Sequence, residues 1–267
     1  MKKLNILLTG AASGIGRATV ERLIDLGHTV YAVDVKPIEP HGNLYSFVAD
    51  ITDGDSLSAL SDSIRNSGVE LDAIICAAGV HDMASLVEGD FERIERLTEI
   101  NLIGTMRTVH SLHSLLRRGG RVVIVTSEVA TYTPMPFNGL YNISKTALEC
   151  YADALRQELN LLGQKVITIR PGAVQTPLAA GSATATERLA ANTVLYKEEA
   201  KHFSGIVKKF TGTPMKPERL ARLICRAVEK KRPGLSYAKH RNPGLVLLNL
   251  LPRRLQCFII KLLLKRK

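Results

Sequence analysis

This sequence of 267 residues has no apolar run approaching the ~20 residues that a helix needs to cross a bilayer. Its four cysteines, Cys76, Cys150, Cys225 and Cys257, stand far apart and form no paired motif. They read as reduced thiols of a cytoplasmic protein rather than as a disulfide framework. Internal repeats and low-complexity tracts are missing, and no linker interrupts the chain before residue 175. His110 and His113 are three residues apart on one helical pattern, but no carboxylate or thiol joins them. They are expected at the surface or an interface, and no metal site is expected.

One absence is local. Residues 230–267 contain eleven Lys or Arg and neither Asp nor Glu. The rest of the chain carries 25 basic and 25 acidic side chains, so the whole net charge of +11 belongs to this last segment. Interleaved aromatics are lacking there, which argues against nucleic acid as a partner. At the other end, Met1-Lys2-Lys3-Leu4 could open a leader peptide, but the apolar run that follows stops at Thr9-Gly10. It reads instead as a first buried strand.

What is present is an alternation. Short apolar runs at 5–9, 29–34, 44–49, 73–77, 121–127 and 166–170 read as strands. Longer amphipathic patterns at 15–26, 56–66, 91–116 and 141–161 read as helices. Alternation of this kind predicts an α/β fold: a single-domain, doubly wound parallel sheet with helices on both faces. The strands are apolar throughout, as covered sheet faces require. Residues 1–240 are expected to form this domain. A small-residue stretch and a helical piece at 187–210 make 177–214 a candidate substrate lid. A helix at 217–230, with Pro217 in its first turn, and a strand near 234–238 complete the pattern.

Thr9-Gly10-Ala11-Ala12-Ser13-Gly14-Ile15-Gly16 joins the first strand to the first helix. In that context the glycines let the main chain turn sharply and approach a pyrophosphate, whose charge a helix N-terminus favours. Gly10, Ser13, Gly14, Ile15 and Gly16 are therefore candidate cofactor contacts. Asp34 ends the second strand about 20 residues beyond the glycines, where a carboxylate binds ribose hydroxyls and repels a 2′-phosphate. It favours NAD over NADP, and Lys36 nearby softens that preference. Asp50-Ile51, after the third strand, would contact adenine, or Asp50 would serve only as a helix-start carboxylate; both readings stand.

Tyr141 and Lys145 are four residues apart on a predicted helix and therefore neighbours on one face. A free phenol has pKa ≈ 10, and a nearby ammonium and an oxidised nicotinamide would favour its ionised form. Lys145 can also hold the nicotinamide ribose. Ser127 closes the fifth predicted strand at the carboxyl edge of the sheet, where its hydroxyl can meet a substrate oxygen.

With these residues in place, the sequence resembles the short-chain dehydrogenase/reductase family, single-domain type, over residues 4–176. The resemblance rests on 9–16, Asp50, Cys76-Ala77-Ala78-Gly79, Asn101, Ser127, Tyr141, Lys145 and Pro171-Gly172. It implies that Tyr141 is the general acid/base, that Lys145 lowers its pKa, and that Ser127 orients the substrate. Asn101 would hold a water linking Lys145 to solvent. Ala78 and Gly79 would line the cofactor, and Pro171, Gly172, Val174 and Thr176 would flank the nicotinamide. Two departures stand out. Cys76 and Ala77 replace the two asparagines of the family's Asn-Asn-Ala-Gly. Ser127 lies one residue further from Tyr141 than the family's usual spacing, so Glu128 is the competing candidate. Within the family, 141–163 looks most like the retinol and hydroxysteroid dehydrogenase branch.

Residues 241–267 form a basic, apolar tail split by Pro252. On its second part Leu255, Phe258, Ile259, Leu262 and Leu263 are expected on one face, with Arg254, Lys261 and Lys265 largely away from it. Two readings remain open for 243–267: docking on an anionic membrane surface, or packing on the domain or a partner subunit. The expected activity is hydride transfer between NAD and a secondary alcohol or ketone on an apolar, lipid-, steroid- or retinoid-like small molecule. A 3-oxoacyl-carrier-protein-type reductase and a non-catalytic dinucleotide-responsive binding protein are the alternatives. A homodimer or homotetramer is expected, in the cytoplasm or peripheral on the cytoplasmic membrane face.

Overall fold

The computed structural model describes residues 2–210 and 212–265. Of the expected lid and tail, Thr211, Arg266 and Lys267 lie outside the described residues. Seven parallel strands form one sheet in the order β3-β2-β1-β4-β5-β6-β7. They are β1 (Asn5–Thr9), β2 (Thr29–Asp34), β3 (Leu44–Val48), β4 (Leu71–Cys76), β5 (Leu116–Val125), β6 (Lys165–Pro171) and β7 (Ser236–Lys239). The order reverses between β1 and β4, which opens a crevice at the carboxyl edge.

Both faces of the sheet are covered, which explains why its strands carry little polar alternation. On one face α2 (Gly54–Asn66), α4 (Gly104–Leu112) and α5 (Gly139–Leu161) bury Leu57, Ile64, Leu112, Leu148 and Ala152 against β4 and β5. On the other, α1 (Gly14–Asp25) and α8 (Pro217–Glu229) bury Val20, Leu23, Leu220 and Ile224 against β1 and β6.

Three expectations about elements need correction. The helix expected over 91–116 is interrupted: α3 (Phe91–Thr98) passes through a π-helical turn at Glu99–Ile103 into α4, and β5 already begins at Leu116. The wider turn accommodates the buried Asn101 amide, which is bound to Val80 on both sides. The lid helix is two helices, α6 (Pro177–Asn192) and α7 (Lys197–Phe210). Glu88 Oε1 ends the run by accepting from Val194 N and Leu195 N, both at 2.9 Å, and Thr193 Oγ1 accepts from Tyr196 N at 3.1 Å. Both causes are contacts distant in sequence or local capping that periodicity does not report.

The third correction concerns the tail. Pro252 does divide it, into α9 (Pro243–Asn249) and α10 (Arg253–Leu264). The expected apolar stripe, however, is split. Ile260 and Leu264 are buried with Ala200 and Phe203 of α7, and Gln256 is buried alongside them. Ile259 and Leu263 are half-buried, while Leu255, Phe258 and Leu262 remain exposed. The apolar arc of α10 is wider than the surface it rests on.

Candidate active site

The crevice holds a cavity of about 900 Å³ bordered by the carboxyl ends of β1, β2, β4, β5 and β6. At one end, Gly10 has φ +76°, and a Cβ there would lie 2.6 Å from Ala78 N. A Cβ on Gly16 would lie 1.9 Å from Gly10 O, so only glycine permits this turn. Ser13 precedes α1 without capping it, and the first turn has no acidic side chain. The free N–H groups and the helix dipole therefore face the cavity, an arrangement that fits a pyrophosphate.

Asp34 ends β2 in the same cavity, where Oδ2 accepts from Ala12 N at 3.0 Å and Oδ1 from Lys36 N at 3.1 Å. Both bonds hold the carboxylate at the strand end. Asp50 Oδ1 accepts from Thr52 N and Thr52 Oγ1, both at 2.8 Å. The cap of α2 is Asp53, which accepts from Asp55 N at 2.9 Å, so Asp50 is not the helix-start carboxylate. Ile51 is buried against Gly104, where a Cβ would lie 2.8 Å from Ile51 Cδ1.

Ser127, Tyr141 and Lys145, the expected reacting residues, line this same cavity. β5 ends at Val125, so Ser127 lies two residues beyond the strand, at the start of a 3₁₀ turn (Glu128–Thr131). It is still brought to Tyr141, whose phenol it hydrogen-bonds. Burial pushes the Tyr141 phenol up to about 12, and the Ser127 bond acts in the opposite direction. Lys145 Nζ lies 5.8 Å from the Tyr141 ring centroid and donates to Val125 O at 3.2 Å. Its own burial pushes it down to about 8. Desolvation therefore dominates the Tyr141 phenol in this arrangement, and Ser127 rather than Lys145 is the group that opposes it.

Supports behind these groups are polar and buried. Asn101 Oδ1 accepts from Val80 N at 2.8 Å, and Nδ2 donates to Val80 O at 2.9 Å and to Ser144 Oγ at 3.1 Å. A Cβ on Gly79 would lie 3.1 Å from Asn101 Oδ1 and 3.5 Å from Lys145 Nζ, so Asn101 borders the lysine. Arg170 makes a bidentate pair with Glu149, at 2.9 and 2.7 Å, and Thr126 Oγ1 also bonds Glu149. This network locks α5 to β6 directly beneath Ser127.

Pro171, Gly172, Val174 and Thr176 line the same cavity. Gly172 passes under the end of β7: a Cβ would lie 1.8 Å from His240 O. Thr176 Oγ1 accepts from Ala179 N at 3.2 Å and caps α6, with Pro177 in the first turn. Glu128, the rival to Ser127, is turned towards the chain after β7, where Oε2 accepts from Asn242 N at 2.7 Å. Burial raises its pKa, against lowering by that bond and by Arg241 and His240.

Two cavity residues escaped the sequence reading. His81 packs edge-on to Tyr141 with centroids 4.5 Å apart, and its Nε2 lies 3.1 Å from Asn138 Oδ1. Burial lowers the His81 pKa first, with Lys145 adding to it against Asn138 and Asp82. The available signal was position: His81 follows Gly79 and Val80 at the carboxyl edge, and Asn138 immediately precedes α5. Elsewhere, His113 Nε2 is 2.8 Å from Gln164 Oε1 and His110 is exposed. No His/Cys/Asp/Glu cluster able to hold a metal occurs among the described residues.

A glycine turn at a switch point, a strand-end carboxylate and a Ser–Tyr–Lys group in one crevice define a dinucleotide-dependent oxidoreductase of the α/β class. The chain matches the family described as short chain dehydrogenase over residues 4–187, and it belongs to that family. It is therefore an enzyme acting on CH–OH or keto groups, in a family that uses NAD or NADP.

Among its relatives, a 3-ketodihydrosphingosine reductase of Bacteroides thetaiotaomicron is 28% identical over 232 residues, covering 85% of this chain and 84% of that protein. A 1-hydroxy-2-glutathionyl-2-methyl-3-butene dehydrogenase of Rhodococcus is 32% identical, covering 65% of this chain and 79% of the relative. An NADPH-dependent 1-acyldihydroxyacetone phosphate reductase of Schizosaccharomyces pombe is 33% identical, covering 65% and 60%. A short chain dehydrogenase family protein of Francisella tularensis has a similar structure, with a TM-score of 0.74 and 25% identity. That likeness covers 89% of this chain and 97% of the other. None of these relatives is named a retinol or hydroxysteroid dehydrogenase, so the branch expected from 141–163 gains no support from them.

Proposed function

We propose that the protein prefers NAD and interconverts a secondary alcohol and a ketone carried on an apolar, lipid-like molecule. The observation that carries this is the convergence of Ser127, Tyr141 and Lys145 between the Gly10–Gly16 turn with Asp34 and a wall containing Met83, Val129, Leu178 and Val207. A bound nicotinamide supplies or takes the hydride. The remaining work falls to side chains. Tyr141 removes the hydroxyl proton in oxidation and returns it in reduction, Ser127 hydrogen-bonds the same oxygen, and Lys145 holds the ribose while its charge favours the phenolate form of Tyr141. Asn101 borders Lys145 at the route to solvent. Asp34 meets both ribose hydroxyls and disfavours a 2′-phosphate. Ala78, Gly79, Asp50 and Ile51 serve the adenosine side, and Pro171, Gly172, Val174 and Thr176 serve the nicotinamide side. Two relatives named for 3-ketodihydrosphingosine and 1-acyldihydroxyacetone phosphate support a lipid-like substrate.

The test is NADH formation or consumption at the nicotinamide absorbance band across apolar alcohols and ketones, with NADP(H) in parallel. Tyr141→Phe should lower turnover by about 10³-fold while NADH affinity stays within a few-fold of wild type. Equal turnover by wild type and variant would sink the mechanism.

We also infer that residues 243–267 rest on an anionic membrane surface as an appendage of the 1–240 domain. In support, Leu250 is 75% exposed and Phe258 56% exposed, with Leu247, Leu255 and Leu262 also uncovered. Arg253, Arg254 and Lys261 are exposed on α10, and Lys265 is exposed just past its end. No helix among the described residues is long and apolar enough to cross a membrane. Exposed Ile143 and Leu161 on α5 support a homodimer or homotetramer, and four free thiols support a cytoplasmic setting.

A further inference from the structure

The wall facing Tyr141 contains a polar pair that proton transfer does not use. His81 and Asn138 both line the cavity and both are partly open to it. The imidazole Nε2 is committed to Asn138 Oδ1 at 3.1 Å, so one end of the carboxamide is engaged. Among the described residues nothing accepts from Asn138 Nδ2. An amide donor without an acceptor among the described residues is thus left on the wall of the cavity that Tyr141 also lines.

The chain goes to some lengths to place this amide. Phe137, just before it, has φ +65°, a left-handed conformation that bulky side chains rarely adopt. Three contacts hold it there. Phe137 O accepts from Ala84 N at 2.9 Å, and the ring packs edge-on to Tyr196 at 5.5 Å and to Phe203 of α7 at 5.4 Å. Asn138 is therefore held between the loop that carries His81 and the lid. Strain of this kind persists only where the surroundings over-determine it, and it gathers at ligand sites. A packing role alone would be served by an apolar side chain at 138 and would leave no donor in the cavity.

We propose that Asn138, held by His81, is a substrate-specificity site that donates a hydrogen bond to an uncharged oxygen on a carbon close to the reacting one. The ligand class is an apolar chain bearing a second oxygen, such as a hydroxyl, next to its ketone or secondary alcohol. His81 bonds Asn138 and packs edge-on to Tyr141, so a single imidazole ring links the proposed oxygen site to the phenol. Asn138 reads the substrate directly, and His81 is a positioning residue. The inference rests on the oxidoreductase reading and names the substrate class of that same site.

The experiment compares a long-chain methyl ketone with its α-hydroxy counterpart of equal chain length, in wild type, Asn138→Leu and His81→Phe. The readout is the ratio of kcat/KM values. Wild type should favour the hydroxyketone by roughly tenfold, with the preference residing in KM. Asn138→Leu should bring the ratio close to one. His81→Phe, which keeps an aromatic ring against Tyr141, should lower it part of the way. Asn138→Gln, which retains the amide, should preserve more of it than the leucine variant. A ratio unchanged in Asn138→Leu, or near one in wild type, overturns the proposal. If wild type turns over neither ketone, the oxidoreductase reading for this substrate class fails. The subsite is then judged from binding of the two ketones to the NADH complex, followed by nicotinamide fluorescence. Equal affinities in wild type overturn it there as well.

Discussion

The two halves of the cavity are built in different ways. The half proposed for the cofactor is made by main chain at strand ends: Gly10 against Ala78, Gly16 against Gly10, and Gly172 under His240 leave no room for a Cβ. The substrate half is made by side chains on helices. α6, α7 and α10 share a small cluster around Phe203, Leu189, Ile260 and Phe137, and the ion pair of Arg188 with Asp82 fastens it to the loop after β4. The first half tolerates almost no change because backbone cannot move without moving the sheet. The second can change its lining while the sheet stays as it is, which is how one chemistry can serve many substrates.

That contrast can be broken most sharply at Gly16. Gly16→Ala should weaken NADH binding by about 100-fold or more, read by nicotinamide fluorescence titration, because a Cβ must displace the turn. Binding within a few-fold of wild type would show that the turn is not tight. Asp34→Ala should come next, moving the NAD over NADP preference towards NADP by about tenfold in kcat/KM as the charge facing the 2′ position is lost. An unchanged ratio would take Asp34 out of the ribose site.

On the substrate half, Val207→Ala should raise KM for a long-chain substrate by several-fold, from lost apolar contact, with NADH affinity unaltered. A matching loss of NADH affinity would erase the distinction between the halves. For the tail, replacing Leu250 and Phe258 together by serine should reduce co-sedimentation with anionic liposomes by a few-fold and leave turnover of a water-soluble substrate intact. Unchanged sedimentation would instead favour a packing role for the exposed side of α10.

The smallest effect joins the two halves at Lys145. Its pKa of about 8 in the fold is below the unfolded value, so the buried ammonium opposes folding in full below about pH 8. That penalty fades as pH rises from the folded towards the unfolded value. Lys145→Met should therefore raise Tm by a few degrees at neutral pH while abolishing activity, and the gain should shrink above pH 8. A Tm gain independent of pH would point to packing rather than charge.

Much of the site was legible in the residues. Strand–helix alternation predicted the sheet, and the Gly10–Gly16 turn, Asp34, Tyr141 and Lys145 stand in the cavity where their spacing put them. These are local signals, carried by one turn of helix or one strand end. Long-range causes were not legible. The π-helical turn at Glu99–Ile103 depends on Asn101 reaching Val80, and the break between α6 and α7 depends on Glu88. The division of α10 into covered and exposed apolar sides depends on how much of it α7 can cover. Cys76 and Ala77, which replace the family's asparagines, cause no visible disturbance: Ala77 N donates to Thr9 O at 3.2 Å and Cys76 is buried in β4.

The sequence by itself determined the class of fold and the gathering of the Gly10–Gly16 turn, Asp34, Tyr141 and Lys145 at one crevice, because short spacings along strands and helices impose those geometries. Tertiary structure alone decided that Ser127 rather than Glu128 meets Tyr141, since Glu128 is drawn to Asn242 more than a hundred residues away. It also decided that His81 and Asn138 share one wall, because a left-handed Phe137 held by the lid turns the chain there. Contacts between distant segments have no periodicity, and only the folded chain brings them together.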